Sequence, residues 1–243
     1  MDYNEVKIGF RHRHPWELSR TKCMYRAWHS YFTNPSLTEQ QPVHYVNIGA
    51  GDCYFDRKLT EEYGFHLTAV DIAYENTPSE DGNTLLIRDL NESTQQFAFG
   101  LMMDSLEYME DDIAYLRELT ERITANGYIF LTLPAHKRMY SEHDRLVGNI
   151  RRYDKKDILR LVEEIDSLKL VQIRKFYMSL YLVRAFQKLF HIKVNPKVTT
   201  GWRHGKKSLM TRFITRVLNL DYRLSGILPF KGLSWMVILK VER

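Results

Sequence analysis

The chain has 243 residues, 44% of them apolar and 27% charged, with a formal net charge of +5. That length suits one α/β domain with an elaboration, and the apolar share is enough for a packed core, which excludes a disordered chain. No apolar run approaches the roughly 18 residues of a membrane-spanning helix. The N-terminus shows no apolar signal region, and Cys23 and Cys53 are too few for a disulfide framework, so a reducing cytoplasm is expected.

In chain order, residues 17–33 read as a helix, with Met24, Ala27, Trp28 and Tyr31 on one side. After Pro42, His44–Ile48 is a predicted strand, followed by Gly49-Ala50-Gly51 and a helix through Leu59. His66–Val70 is a second strand that ends at Asp71. Leu85–Ile87 is a third, ending near Asp89, and Phe97–Met103 a fourth, ending at Asp104. A helix from Asp111 to Ile123 starts with acids that suit its N-terminal dipole. Asn126-Gly127 is expected to form a turn. Tyr128–Leu133 is a fifth strand, closed by Pro134. Ile158, Leu161, Val162 and Ile165 mark a helix, Leu170–Phe176 a strand, and Phe176–Phe190 a further helix. Another helix carries Met210, Phe213, Ile214 and Val217, and Trp235–Val241 is the final strand.

This alternation predicts an α/β fold: a Rossmann-like, seven-stranded, mostly parallel sheet with helices on both faces and a helical insertion before the last strand. The whole chain then forms one domain. Residues 1–41 make an N-terminal helical segment, 42–175 a ligand-binding core, 176–228 a basic helical insertion and 229–243 the final strand.

Ligands in such sheets bind at the carboxyl ends of the strands, beside the switch in strand order. Gly49, Gly51, Asp71, Asp89 and Asp104 all stand just past predicted strand ends. The two glycines let the backbone approach a ligand closely, and Asp71, 20 positions after Gly51, is placed to bind ribose hydroxyls. A dinucleotide fingerprint would want a third glycine where Tyr54 stands, and the Asp52 carboxylate would repel a pyrophosphate. A cofactor carrying a sulfonium and an ammonium group avoids that conflict.

Val46-Asn47-Ile48-Gly49-Ala50-Gly51-Asp52 resembles the first motif of class I S-adenosylmethionine-dependent methyltransferases, with Asn47 where an acid often sits. Ala69-Val70-Asp71 resembles their ribose-binding strand end, and Arg88-Asp89-Leu90 the segment that meets the adenine amino group. Met103-Asp104-Ser105-Leu106-Glu107-Tyr108 resembles their fourth-strand motif, with Tyr108 in place of the usual His. The resemblance adds Leu106 and Glu107 to the expected cofactor-binding residues. Pro134-Ala135-His136, Ser141-Glu142-His143-Asp144 and Arg151-Arg152-Tyr153 are similar to motifs of one subgroup of these enzymes. So are His14-Pro15-Trp16-Glu17 with Arg20, and Pro229-Phe230-Lys231-Gly232-Leu233-Ser234. The similarity covers most of 11–160 and the last strand and is thin across 175–225. It implies S-adenosylmethionine as cofactor and methylation of an acceptor, with O-methylation of a small-molecule or glycan-type acceptor as the expectation.

Methyl transfer mainly requires positioning, with a general base when the acceptor is a hydroxyl. His136 and His143 are the candidate bases. The Arg151 and Arg152 forks and Tyr153 are the candidates for acceptor binding. Trp16 and Arg20 are candidates for a lid over the cofactor. The seven-residue spacing of the two histidines gives no metal signature. Two other readings stay open: an NAD(P)-dependent oxidoreductase on a similar sheet, and a non-catalytic adaptor.

Residues 174–243 hold 15 Lys/Arg and 2 Asp/Glu, whereas 1–173 hold 20 and 28. The simpler expectation is a helical subdomain packed on the sheet over the acceptor pocket. The sharper one is peripheral contact with an anionic membrane through 176–223. Nucleic acid is not signalled by any recognisable binding motif.

Overall fold

The computed structural model describes residues 12–32, 42–75, 77–190, 204–227 and 231–243. The helices are α1 (Pro15–Phe32), α2 (Asp56–Tyr63), α3 (Asp112–Arg122), α4 (Glu142–Leu146), α5 (Lys155–Glu163), α6 (Met178–Leu189) and α7 (Leu209–Ser225). The strands are β1 (His44–Ile48), β2 (His66–Val70), β3 (Ser79–Asp81), β4 (Thr84–Ile87), β5 (Phe97–Met103), β6 (Ile123–Pro134), β7 (Leu168–Phe176) and β8 (Ser234–Val241).

These strands form one sheet in the order β3-β4-β2-β1-β5-β6-β8-β7. β1 pairs in parallel with both β2 and β5, so the strand order reverses beside β1, the place where sheets of this kind form a ligand-binding crevice. β8 lies antiparallel between β6 and β7. The expected seven strands are eight. The addition is β3, an exposed Ser-Glu-Asp stretch antiparallel to β4 at the sheet edge. With no apolar residue, it carries no strand signal.

Apolar side chains pack on both faces of the sheet. On one, Leu116 and Leu119 of α3 and Ile158 and Leu161 of α5 join the sheet core. On the other, α1 contributes Cys23, Met24 and Trp28, α2 Leu59, and α7 Leu218 and Tyr222. Trp28 lies edge-on to Tyr63 and Phe65, and Tyr45 stacks on Phe99 with centroids 4.6 Å apart.

Two expectations change in detail. Asn126-Gly127 lies inside the longer β6, at the register shift between Phe97 and Phe99 of the neighbouring strand. Asn126 takes φ +62°, and a Cβ on Gly127 would come within 2.6 Å of the Ala98 carbonyl, so the pair forms a bulge. The helix expected from Phe176 starts at Met178, because Tyr177 takes a left-handed φ of 62°. Asp221 of α7 then caps α6, accepting from the backbone N–H groups of Met178 at 2.9 Å and Ser179 at 2.7 Å. Parts of the expected N-terminal segment (1–11 and 33–41) and of the expected basic insertion (191–203 and 228), together with Pro229-Phe230, lie outside the described residues.

Candidate active site

Gly49 (φ 71°) and Gly51 (φ 57°) turn the chain at the carboxyl end of β1. A Cβ on Gly49 would stand 2.7 Å from the Cβ of Ser105, just past β5. Glycine is therefore required twice there, by conformation and by close approach. Asp71 fixes the loop: its Oδ2 accepts from Gly51 N–H and its Oδ1 from Ala73 N–H, both at 2.9 Å. Tyr74 donates to the Gly51 carbonyl at 2.7 Å.

Asn47 has its own chemistry. Its Nδ2 donates to Asp56 Oδ2 at 2.8 Å, while Asn47 Oδ1 and Asp56 Oδ1, both buried, show no partner. Burial pushes the Asp56 carboxyl up to about 6. A protonated Asp56 would offer its O–H to the amide oxygen and satisfy both orphan atoms at once. An acid at position 47 would instead set two carboxyls together beneath the loop.

Asp104, at the carboxyl end of β5, takes φ 57° and accepts from Thr132 Oγ1 at 2.9 Å. Its other oxygen pairs with Arg20 of α1, which also lies over the Trp16 ring. Arg13, just before α1, pairs with Asp52 and Glu17 and covers the Tyr54 ring at 3.7 Å. Two arginines from one segment thus reach the acids on the two sides of the crevice. Asp89, past β4, is exposed and accepts from Asn91 N–H at 2.8 Å as a helix cap.

The residues after β5 divide. Leu106 is fully buried, packed in the core on the α3 and α5 side, so its side chain is a core contact. Glu107 is 1% exposed and its Oε2 has no partner. Burial pushes its carboxyl up to about 8 although Arg20 and Arg152 pull it down. The pull is weak because both cations already have acids of their own, Asp104 and Asp144.

Arg151, Arg152 and Tyr153 are brought together as a brace, and their polar ends are engaged within the protein. Arg152 Nε and Nη2 donate to Asp144 Oδ1 at 3.0 and 2.6 Å, and its Nη1 donates to the Ala135 carbonyl. Asp144 Oδ2 accepts from Ser141 N–H and Oγ, both at 2.8 Å. Arg151 pairs with Asp112 at 2.8 Å, and Tyr153 donates to the same carboxylate at 3.0 Å. Asp111 caps α3, as its place at a helix start suggests.

His136 has φ 64°, follows β6 directly and is mostly buried, with its Nδ1 3.7 Å from Asp154 Oδ1 and its Nε2 unpartnered. Its ring lies edge-on to Tyr181 of α6 at 5.3 Å. Burial lowers its pKa against the pull of Asp154. His143 is also lowered, by burial and then by Arg184 of α6. Both imidazoles are therefore neutral near pH 7 and able to accept a proton.

Sequence reasoning did not single out Ser105, whose buried Oγ has no partner beside Gly49, or the Arg13–Asp52 pair. The close approach of two loops at Gly49 and Ser105 has no one-dimensional signal. Among the described residues, no group of three or more His, Cys, Asp or Glu side chains could hold a metal ion.

No family model matches the chain, and no curated protein matches it in sequence. Solved structures do. The chain is similar to a protein assigned as a sarcosine dimethylglycine methyltransferase from Galdieria sulphuraria, at 12% identity and a TM-score of 0.57, over 96% of this chain and 92% of the other. It is also similar to the plantazolicin methyltransferase BpumL in complex with SAH, at 11% identity and a TM-score of 0.54, over 94% and 85%. A third is the (4+2) cyclase SpnF, at 12% identity and a TM-score of 0.50, over 84% and 76%. At these identities the likeness fixes the fold alone, a Rossmann-like α/β sheet shared with these proteins. The cyclase shows that this fold also carries a different reaction.

Proposed function

We propose that the chain is an S-adenosylmethionine-dependent methyltransferase that methylates a hydroxyl of a small-molecule or glycan-type acceptor. The observation that carries the reading is the crevice at the strand-order switch, where the glycine turn, Asp71 and Asp104 converge. An adenosyl cofactor fits the donors and acceptors there. Asp71 retains acceptor capacity for ribose hydroxyls, and the exposed Asp89 suits the adenine amino group. Asp104 suits the ammonium and Arg20 the carboxylate of the methionyl part. The unpartnered Ser105 Oγ beside the Gly49 turn offers a further polar contact. Bound there, the cofactor supplies a methyl group already activated on sulfur.

In this reading His136 and His143 face the acceptor; Tyr181 of α6 lies edge-on to His136, and Arg184 of α6 acts electrostatically on His143. A neutral imidazole would take the acceptor's hydroxyl proton as that oxygen accepts the methyl group, whose bond to the sulfonium sulfur breaks and leaves a neutral thioether. Arg151, Arg152 and Tyr153 hold the segment that carries these histidines, and this positions the acceptor without touching it. The sheet order speaks against a nicotinamide enzyme, because dinucleotide sheets of the 3-2-1-4-5-6 type lack an antiparallel strand like β8 inserted beside the fifth.

The test is calorimetric titration with S-adenosylmethionine, S-adenosylhomocysteine and NADH, repeated on Asp71→Ala. Micromolar binding of the first two, lost in the variant, supports the reading. Binding of NADH alone would transfer it to an oxidoreductase. Binding of none to the folded protein would favour an adaptor.

A further inference from the structure

α7 presents two apolar faces. Leu218 and Tyr222 are buried in the core shared with the sheet and α1, and Thr211, Asp221 and Ser225 are buried on the same side of the helix. Opposite them, Leu209, Met210, Phe213, Val217, Leu220 and Leu224 fall within about 100° of arc at helical periodicity. All are exposed, Leu209 at 81%, Phe213 at 68% and Leu220 at 55%. A solvated helix face would be polar at those positions. Arg212, Arg216 and Arg223, all exposed, follow one border of the stripe.

α6 also exposes apolar side chains. Its Lys188 Nζ donates to the Arg138 carbonyl at the surface, and the half-buried Arg184 sits near Asp144 and Arg152. Leu182, Phe186 and Leu189 lie outward, 54%, 56% and 72% exposed. The helices adjoin where Asp221 of α7 caps α6. Asp221 is the one acid between Asp166 and Glu242, and it is buried in that cap. The outer surfaces of α6 and α7 thus carry exposed aliphatic and phenylalanine side chains beside cations, with no exposed carboxylate on either helix.

We propose that α7, with the adjoining outer side of α6, docks the protein on an anionic phospholipid surface. The apolar stripe enters the boundary between headgroups and acyl chains, and Arg212, Arg216 and Arg223 lie at headgroup level. Charge decides for lipid: a basic border around a large apolar patch matches an anionic bilayer, where both terms add. No helix among the described residues is long and apolar enough to cross a membrane, so the contact is peripheral. The docking face does not depend on the methyl-transfer reading.

The experiment is co-sedimentation of the full chain with phosphatidylcholine vesicles, with and without phosphatidylserine, at low and high salt. Partition should rise with phosphatidylserine and fall with salt. Each arginine near such a surface is worth about fivefold, so replacing Arg212, Arg216 and Arg223 together by Gln should cost roughly a hundredfold in partition. Phe213→Gln should weaken binding at unchanged melting temperature, since its side chain is exposed. Equal partition into both vesicles, or none at low salt, would overturn the proposal. So would a dimer in solution that Phe213→Gln dissociates and that ignores vesicles.

Discussion

Glu107 offers a test of the site's electrostatics that needs no ligand. Its carboxyl is buried without a partner for Oε2 and pushed up to about 8 from an ordinary 4.5. The folded protein therefore holds a proton that the unfolded chain releases above pH 4.5. Stability from this group is full at low pH and declines as pH rises from about 4.5 to about 8, where the folded state must ionise it as well. The shift corresponds to roughly 5 kcal/mol at most. Glu107→Gln keeps the shape and removes the titration, while Asp56 titrates alike in both proteins and cancels. Urea denaturation of the two across pH 4.5 to about 8.5 should show the variant gaining on the wild type by about 2–5 kcal/mol as pH rises. A difference constant with pH would refute the reasoning and place a cation or water on the carboxylate.

Other outcomes follow from the same contacts. Asp144→Ala strips the buried Arg152 of its carboxylate and should cost about 3–5 kcal/mol in urea denaturation. Asn47→Asp sets a second carboxyl against Asp56, and its destabilisation should grow as pH rises through about 6, read as a falling melting temperature in circular dichroism. If His136 or His143 is the base, the acid limb of the methylation rate should fall below pH ~6.5, because burial lowers both. The matching His→Gln variant should abolish that limb while leaving cofactor affinity within about twofold.

The parts of the fold legible in the sequence are those that repeat a local pattern. β1, β2, β4 and β5 show as apolar runs stopped by a glycine or an acid, and those stops surround the crevice. β3 was not legible, because its pairing with β4 comes from the chain reversing at Gly82 and not from its own side chains. Asn126-Gly127 carries turn chemistry, yet the Phe97–Phe99 register converts it to a bulge. Arginine beside arginine suggested anion binding. Their carboxylate partners, Asp112 and Asp144, lie 39 and 8 residues upstream and meet them only after folding. The neutral state of Glu107 is likewise a product of burial, and nothing in Leu106-Glu107-Tyr108 announces it.

β8 follows every other described element, yet it lies inside the sheet, bonded to β6 on one side and β7 on the other. Until it is made, β6 and β7 each present an open strand edge, and the brace of Trp235 Nε1 to the Tyr153 carbonyl, at 2.9 Å, is absent. Synthesis therefore passes through a long interval in which most of the core can condense around β1, β2, β4 and β5 while two sticky edges wait for one insert. Chaperone dependence should reflect the wait for β8, where losing a few residues would strand both neighbours.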